Sequence, residues 1–274
     1  QNVAVTPAIN ENASVTLTGG VFDPGTLDTF TLKIAWRDGS PLQVIALGNT
    51  GISAQNLVWN PGTRQFSVAH QYLDDNPQTG TPQDRFAIAV TVTDDDTGQG
   101  QAMATTWVSN VAPHNVRIAD QVGTLVFAVG VSKPFAGSFA DVGSLDTHTA
   151  RWTIEHKNHL LGTIVTETRT GTVDPVTRTV SDSLSFREAG LYRVTLTITD
   201  DDTGATTSEV SNFVVYDPSA GFITGGGHIP ASDSNGKANF GFVSKYHKGA
   251  EVPKGQTEFQ VGGLNFHSTG YDWM

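Results

Sequence analysis

The hexapeptide Thr-Asp-Asp-Asp-Thr-Gly occurs twice, at Thr93–Gly98 and Thr199–Gly204, each time closing a strictly alternating stretch. A duplicated phrase of this kind constrains the chain to an array of β modules rather than one large enzyme fold. Two further pairs follow the same order. Asp23-Pro-Gly-Thr-Leu-Asp-Thr29 is echoed by Asp141-Val-Gly-Ser-Leu-Asp-Thr147, and Val108-Ser-Asn-Val111 by Val210-Ser-Asn-Phe213. The first pair is offset by 118 positions and the acidic triplets by 106. The second copy has therefore lost about a dozen residues between the two motifs, where surface loops tolerate changes of length.

The clearest strands are Phe86–Thr93 and Tyr192–Thr199, in which every second residue is large and apolar. Period-two alternation means one face buried and one wet. Leu32, Ile34 and Trp36 form another inward row in the first copy, and Ala150, Trp152 and Ile154 do so in the second. A Trp facing a second alternating strand is a sandwich-core feature. No stretch of ten or more residues carries a 3.6-residue pattern, so helix is expected only as isolated turns.

Composition narrows the function classes. The chain has 274 residues and no cysteine, which removes disulfides and thiol ligands as sources of stability. Its formal charge is −11, from 27 acidic and 16 basic residues, so nucleic acid and anionic membranes meet net repulsion while a divalent cation does not. No apolar run approaches the roughly 20 residues of a membrane span. Low lysine, missing cysteine and a start at Gln1 fit a processed, secreted or surface-anchored bacterial protein, extracellular in location.

Module boundaries fall at prolines. Residues 1–112 form the first predicted β-sandwich, 113–217 the second, and 218–274 a small β domain with its own short strands and Gly-rich turns. The last segment is short for an independent sandwich and stops at Tyr271-Asp-Trp-Met274, so it is expected to be an incomplete domain, the alternative being a small cap on the second module.

Several of these residues carry a family resemblance. Phe22–Asp28, Trp36-Arg-Asp-Gly-Ser-Pro41, His70-Gln-Tyr72 and Val92–Gly98 stand in the order seen in PKD-type domains, and the first copy resembles one. The second matches through Phe139–His148, Trp152, Ala189–Tyr192 and Thr197–Gly204. It departs after Trp152, where Thr-Ile-Glu-His replaces the family's turn, and at Ser185-Phe186. Residues 221–274 are similar to a small domain that follows PKD arrays in bacterial surface proteins. The resemblance implies an all-β chain of tandem immunoglobulin-like sandwiches with a non-catalytic extracellular role in spacing, adhesion or substrate contact.

The acidic groups are the best candidates for chemistry. Each module places an Asp-x-Gly-x-x-Asp turn after an early strand and the Asp triplet after a late one, and a Greek-key sandwich brings such loops to one end. Confined carboxylates repel one another, and Ca²⁺, which takes six to eight oxygen ligands, relieves this. The expected ligands are Asp23, Asp28, Asp94 and Asp96 in module one, and Asp141, Asp146, Asp200 and Asp202 in module two. The competing reading is turn chemistry alone, with Asp side chains capping backbone N–H groups and Gly taking positive φ. No Gly-x-Ser-x-Gly, His-Glu-x-x-His or Walker-type loop is present, so no enzyme is expected. His156 and His159 would chelate a transition metal only if their turn folds back. Gly225-Gly-Gly-His228 reads as a flexible turn. Trp59, beside a turn and outside the alternating strands, is either a contact for carbohydrate or protein or a ring packed under its own loop. Expected partners are other proteins or extracellular polysaccharide, with self-assembly through strand edges as a further route.

Overall fold

The computed structural model describes residues 2–76, 79–119, 126–157, 162–217, 222–230, 237–245, 253–261 and 263–271. Among these every regular element is a strand, and no helix occurs. The chain divides into two compact units. The first comprises Gln1–Ala112 together with two loops, Asp141–Thr147 and Asp200–Gly204; the second comprises Pro113–Ala140, His148–Thr199 and Ala205–Met274.

The first unit contains β1 (Asn2–Val5), β2 (Ala8–Asn10), β3 (Ser14–Gly20), β4 (Phe30–Ala35), β5 (Gln43–Leu47), β6 (Ile52–Ala54), β7 (Leu57–Asn60), β8 (Gln65–Gln71), β9 (Gln83–Asp94) and β10 (Gln99–Ser109). They form two five-stranded sheets, ordered β1-β3-β8-β7-β6 and β2-β10-β9-β4-β5. The predicted inward rows face each other across the sandwich. Leu17 and Val68 come from one sheet, and Leu32, Ile34, Trp36, Ile88 and Val90 from the other, all fully or almost fully buried. Pairing is antiparallel throughout except that β2 runs parallel to β10, with Ala8, Ile9 and Asn10 opposite Trp107, Val108 and Ser109.

The second unit contains β11 (His114–Ile118), β12 (Val126–Ala128), β13 (Ser132–Ala140), β14 (His148–Lys157), β15 (Ile164–Asp174), β16 (Thr179–Ser185), β17 (Gly190–Asp200) and β18 (Ala205–Tyr216). These make one eight-stranded sheet, ordered β11-β13-β16-β15-β14-β17-β18-β12, around Trp152, Phe135, Leu184 and Leu196. One strand makes the sheet continuous. β15 pairs with β14 over Ile164–Gly171 and with β16 over Thr172–Asp174. The corresponding stretch of the first unit is broken into β5, β6 and β7, of which β5 pairs with β4 and β7 with β8. Again the second strand pairs in parallel with the closing strand of the sandwich, β12 with β18.

The same unit carries a four-stranded sheet of β19 (Phe222–Pro230), β20 (Lys237–Lys245), β21 (Lys254–Val261) and β22 (Leu264–His267). Val243 packs on Leu191 and Val214. Gly225–Gly227, read from sequence as a flexible turn, lies inside β19, and the reason is steric. A Cβ on Gly225 would sit 2.5 Å from the Phe242 ring, and one on Gly227 3.1 Å from that of Phe240. The rings cover bare backbone, which only glycine provides.

The motif residues of the first module make a local brace. The His70 ring stacks on Trp36 at 4.3 Å, and its Nε2 meets Asp38 Oδ2 at 2.6 Å. Asp38 Oδ1 accepts from the Ser40 N–H at 3.0 Å, and the Tyr72 hydroxyl donates to the Trp36 carbonyl at 3.0 Å. In the second module, where this turn is absent, His156 instead stacks on Tyr192 at 4.5 Å and meets Glu188. His159 lies outside the described residues.

Burial pushes the Asp38 carboxyl up, but the bonds from Ser40 and His70 outweigh it and hold the group below its ordinary range. A depressed carboxyl stabilises the fold above its unfolded pKa, about 3.9, and that contribution is lost as pH falls through the folded value. Asp38→Asn should therefore lower stability by about 1 kcal/mol at pH 7. Thermal melts across pH should show the gap closing below about pH 4; equal melting temperatures at pH 7 would refute the brace.

Candidate functional site

The Asp-x-Gly-x-x-Asp turns and the Asp triplets fold as matched pairs of loops. In the early turn the first Asp caps the Gly N–H, Asp23 Oδ1 to Gly25 at 2.7 Å and Asp141 Oδ1 to Gly143 at 3.2 Å. The second Asp lies directly over that glycine, so that a Cβ on Gly25 or Gly143 would overlap the carboxyl of Asp28 or Asp146. In the triplets the first Asp accepts from the closing glycine, Gly98 N to Asp94 Oδ1 at 2.6 Å and Gly204 N to Asp200 Oδ1 at 2.7 Å. The middle Asp ties the two loops together: Thr29 N donates to Asp95 at 3.2 Å and Thr147 N to Asp201 at 2.9 Å.

One detail of the turn differs from expectation. The left-handed residues are Thr97 and Thr203, at φ 74° and 73°, while the glycines do not have positive φ. Glycine is needed because a Cβ on Gly98 or Gly204 would lie 2.4 Å from the Asp94 or Asp200 carboxylate, and on Gly204 also 2.8 Å from Cα of Ala112.

Equal sequences reach unequal surroundings. Among the first module's expected ligands, Asp23, Asp28 and Asp94 each bring an oxygen within 4.8 Å of the others, all three half-buried. Contact with Asp23, then partial burial, then the charges of Asp23, Asp95 and Asp96 raise the Asp28 carboxyl. Asp96 is exposed and stands outside that trio. Of the second module's four, Asp200 is taken up by Gly204 and by the Asn110 amide, which donates to it at 3.0 Å. Asp141 and Asp146 lie together, and Asp202 leaves the expected set to join Asp74 and Asp75, with one oxygen of each within 4.8 Å of the others.

This last grouping lies within the first unit and is its most unusual feature. Asp75 and Asp202 are 0% and 1% exposed, Asp74 and Asp146 are buried, and Glu11 joins them at 1%. Both oxygens of Asp75 and of Asp146, and one each of Glu11, Asp74 and Asp202, are buried and meet no hydrogen-bond donor. Among the described residues no Lys, Arg or His forms an ion pair with any of the five, and the charges that raise Glu11, Asp75 and Asp146 are those of other carboxylates. Burial first, then proximity to Asp202 and Asp74, pushes Asp75 up to about 8. Burial, opposed by the Val111 N–H, takes Glu11 to about 8, and burial with the charge of Asp141 takes Asp146 to about 7. Asp74 and Asp202 are raised as well, chiefly by burial. Shifted carboxyls often mark catalytic acids, but a general acid must reach a substrate proton. These oxygens are covered.

Glu11, Asp74 and Asp75 carry no motif of their own, but the spacing of the repeat holds a signal for the two aspartates. The repeat offset is still 114 at the buried aromatics Tyr72 and Phe186, and falls to 106 at the triplets. Most of the length difference is therefore the segment after Tyr72, which carries Asp74-Asp75 and has no counterpart in the second copy. That segment packs within the unit on the 141–147 loop, where Ser144 N donates to the Leu73 carbonyl at 3.3 Å.

Of the two readings of Trp59, the contact for carbohydrate or protein requires correction, and the packed ring is what the structure has. It is 2% exposed, lies edge-on to Phe30 with centroids 6.4 Å apart, and donates from Nε1 to the Gly48 carbonyl at 2.8 Å. It is a core residue of β7, so neither sugar nor protein can stack on it.

No family model matches the chain, and no curated protein matches it. Solved structures similar to it include the tetra-tandem repeat in the extending region of a large adhesion protein, at 12% identity over 98% of this chain and 65% of that one, TM-score 0.43. Others are the fibronectin(III)-like modules of Clostridium thermocellum CbhA, at 11% identity, 78% and 93% coverage and TM-score 0.29. A bacterial ice-binding adhesin aligns at 15% identity, 97% and 82% coverage and TM-score 0.28.

Close packing at the turns gives a graded expectation. Gly98→Ala displaces only the Asp94 side chain and should cost about 1 kcal/mol, whereas Gly204→Ala also meets backbone and should cost about 2–3 kcal/mol. Denaturant melts of the two variants measure the difference, and an equal cost would contradict this account.

Proposed function

We propose that the chain is a non-catalytic, load-bearing spacer in an extracellular bacterial surface or secreted protein, built from two PKD-type sandwiches, residues 1–112 and 113–217, and a third β segment, 218–274. The observation that carries this reading is how each repeat is closed. Its opening segment pairs in parallel with its final strand, β2 with β10 and β12 with β18. When the two ends of such a repeat are pulled apart, parallel terminal strands are drawn past each other, and their hydrogen bonds are loaded together in shear. An antiparallel pair of the same strands would open one bond at a time.

Bonds beyond the short ladders reinforce the closure. Trp107 N donates to the Pro7 carbonyl and Glu11 N to that of Ser109, both at 3.0 Å, and the buried Thr106 hydroxyl donates to the Thr6 carbonyl at 2.8 Å. In the second repeat Val129 N donates to the Tyr216 carbonyl at 2.8 Å. Resistance to force depends on the rate of unfolding and not on equilibrium stability alone, which suits a closure of this kind to a spacer.

A second reading, self-assembly through a strand edge, is favoured by β22. This outermost strand of its sheet exposes Leu264 and Phe266 at 62% and 53%. An apolar edge pairs readily with another chain. Light scattering should show Phe266→Lys lowering the mass of any assembly that the wild-type chain forms, and a wild type that stays monomeric at high concentration removes this reading.

Single-molecule stretching tests the spacer. Thr106→Val, which deletes one closing bond with little change of shape, and Trp107→Pro, which deletes a second, should lower the unfolding force of the first repeat and leave that of the second unchanged. Identical force distributions for variants and wild type would overturn the proposal.

A further inference from the structure

We infer that Glu11, Asp74, Asp75, Asp146 and Asp202 form a buried site for a hard divalent cation, with Ca²⁺ the best fit and Asp74, Asp75 and Asp202 its nearest ligands. The inference is independent of the load-bearing reading. Its basis is geometric. One oxygen from each of Asp74, Asp75 and Asp202 lies within 4.8 Å of the other two, the spacing allowed to ligands that share an ion at about 2.4 Å. All three side chains are at least nine-tenths buried, and their inward oxygens have no donor. Asp75 and Asp202 also lie within hydrogen-bonding reach of each other, a contact between two carboxyls that only a proton or a cation makes favourable.

Other features select the ion. The donors are all carboxylate oxygen, which suits Ca²⁺ or Mg²⁺ and not the softer metals that prefer nitrogen or sulfur. Mg²⁺ keeps several of its waters and rarely sits in a cage made wholly of protein. A site whose central residue is fully buried and surrounded by carboxylates therefore favours Ca²⁺. The trio Asp23, Asp28 and Asp94 differs in burial, since all three are half-buried whereas Asp74, Asp75 and Asp202 are enclosed.

The site would also explain why loops 141–147 and 200–204 belong to the first unit. Asp146 comes from one and Asp202 from the other, while Glu11, Asp74 and Asp75 come from residues 1–112. Direct bonds at this place include Ser144 N to the Leu73 carbonyl at 3.3 Å and the Asn110 amide to Asp200 at 3.0 Å. A cation shared by the three segments supplies the attraction that the carboxylates lack.

The test is calcium titration of the whole chain, stripped with chelator, followed by calorimetry and thermal melting, with Mg²⁺ as comparator. Wild type should bind Ca²⁺ with a Kd below about 10 µM, tighter than ordinary extracellular modules because of the number of charged ligands, and its melting temperature should rise. Asp75→Asn should weaken this binding at least about 100-fold, yet melt no lower than wild type in chelator, because it removes a buried charge. Asp28→Asn should leave the tight site intact. Hydrogen exchange on the wild-type chain supplies a readout that needs no variant, with calcium expected to protect residues 73–76, 141–147 and 200–204. Equal melting of wild type in 1 mM Ca²⁺ and in excess chelator would overturn the inference, as would a calcium response retained by Asp75→Asn or protection confined to residues 22–29 and 93–98. Failure of the parallel closure to set the unfolding force would leave these results untouched, so the two proposals fail separately.

Discussion

Five carboxyl groups held out of water without a basic partner are the constraint around which the first unit is arranged. Two like charges about 4 Å apart repel by about 4 kcal/mol at the effective dielectric of a protein, and burial adds a desolvation cost for each. A fold stable by only about 5–15 kcal/mol cannot carry several such pairs fully ionised. Either protons are held near neutral pH, as the raised Glu11, Asp75 and Asp146 carboxyls indicate for the chain alone, or positive charge is supplied from outside. With 27 acidic and 16 basic residues, the chain itself offers little positive charge for the purpose.

The two copies show how surroundings divide identical phrases. Asp96 and Asp202 occupy the same position of the same hexapeptide, but one is exposed and the other 1% exposed. The backbone turn is equally well made in both, with matching Asp to Gly bonds and matching Thr at positive φ. Turn chemistry therefore accounts for the repeat of the sequence, and it leaves the third Asp free to be used or not. What decides is which residues each loop meets: Asp202 lies against Asp74 and Asp75 of the segment after Tyr72, and Asp96 does not. Length change, usually read as tolerance in loops, here sets which carboxylates meet.

Most of the strand framework was legible because alternation is a local signal: the rows Leu32–Trp36, Phe86–Val92 and Tyr192–Ile198 are buried as the pattern requires. What was not legible has a shared reason. Trp59 stands beside a turn yet packs edge-on to Phe30, the Gly225–Gly227 run reads as a flexible turn yet lies beneath two Phe rings, and Asp74-Asp75, which no motif singled out, is enclosed. Each fate depends on a residue far along the chain, which local composition does not report. Asp23, Asp28 and Asp94 were brought together as expected because their loops close the same end of one sandwich, where topology alone dictates proximity.

Glu11 joins the two parts of the functional account. Its backbone N–H donates to the Ser109 carbonyl at 3.0 Å, at the end of the parallel closure, while its Oε1 accepts from Val111 N at 2.7 Å. Its Oε2 is buried without a donor, within electrostatic reach of Asp146, Asp141 and Asp75. One residue thus holds the first strand segment to the last and adds a charge beside the proposed cation site. A bound ion would draw Oε2 inward and restrain the segment that tension must displace, so the closure would be stiffened through the same side chain that helps to bind the metal. Calcium bound there would act where the proposed closure begins to yield, and buried charges that weaken the chain alone would strengthen it once the ion is present.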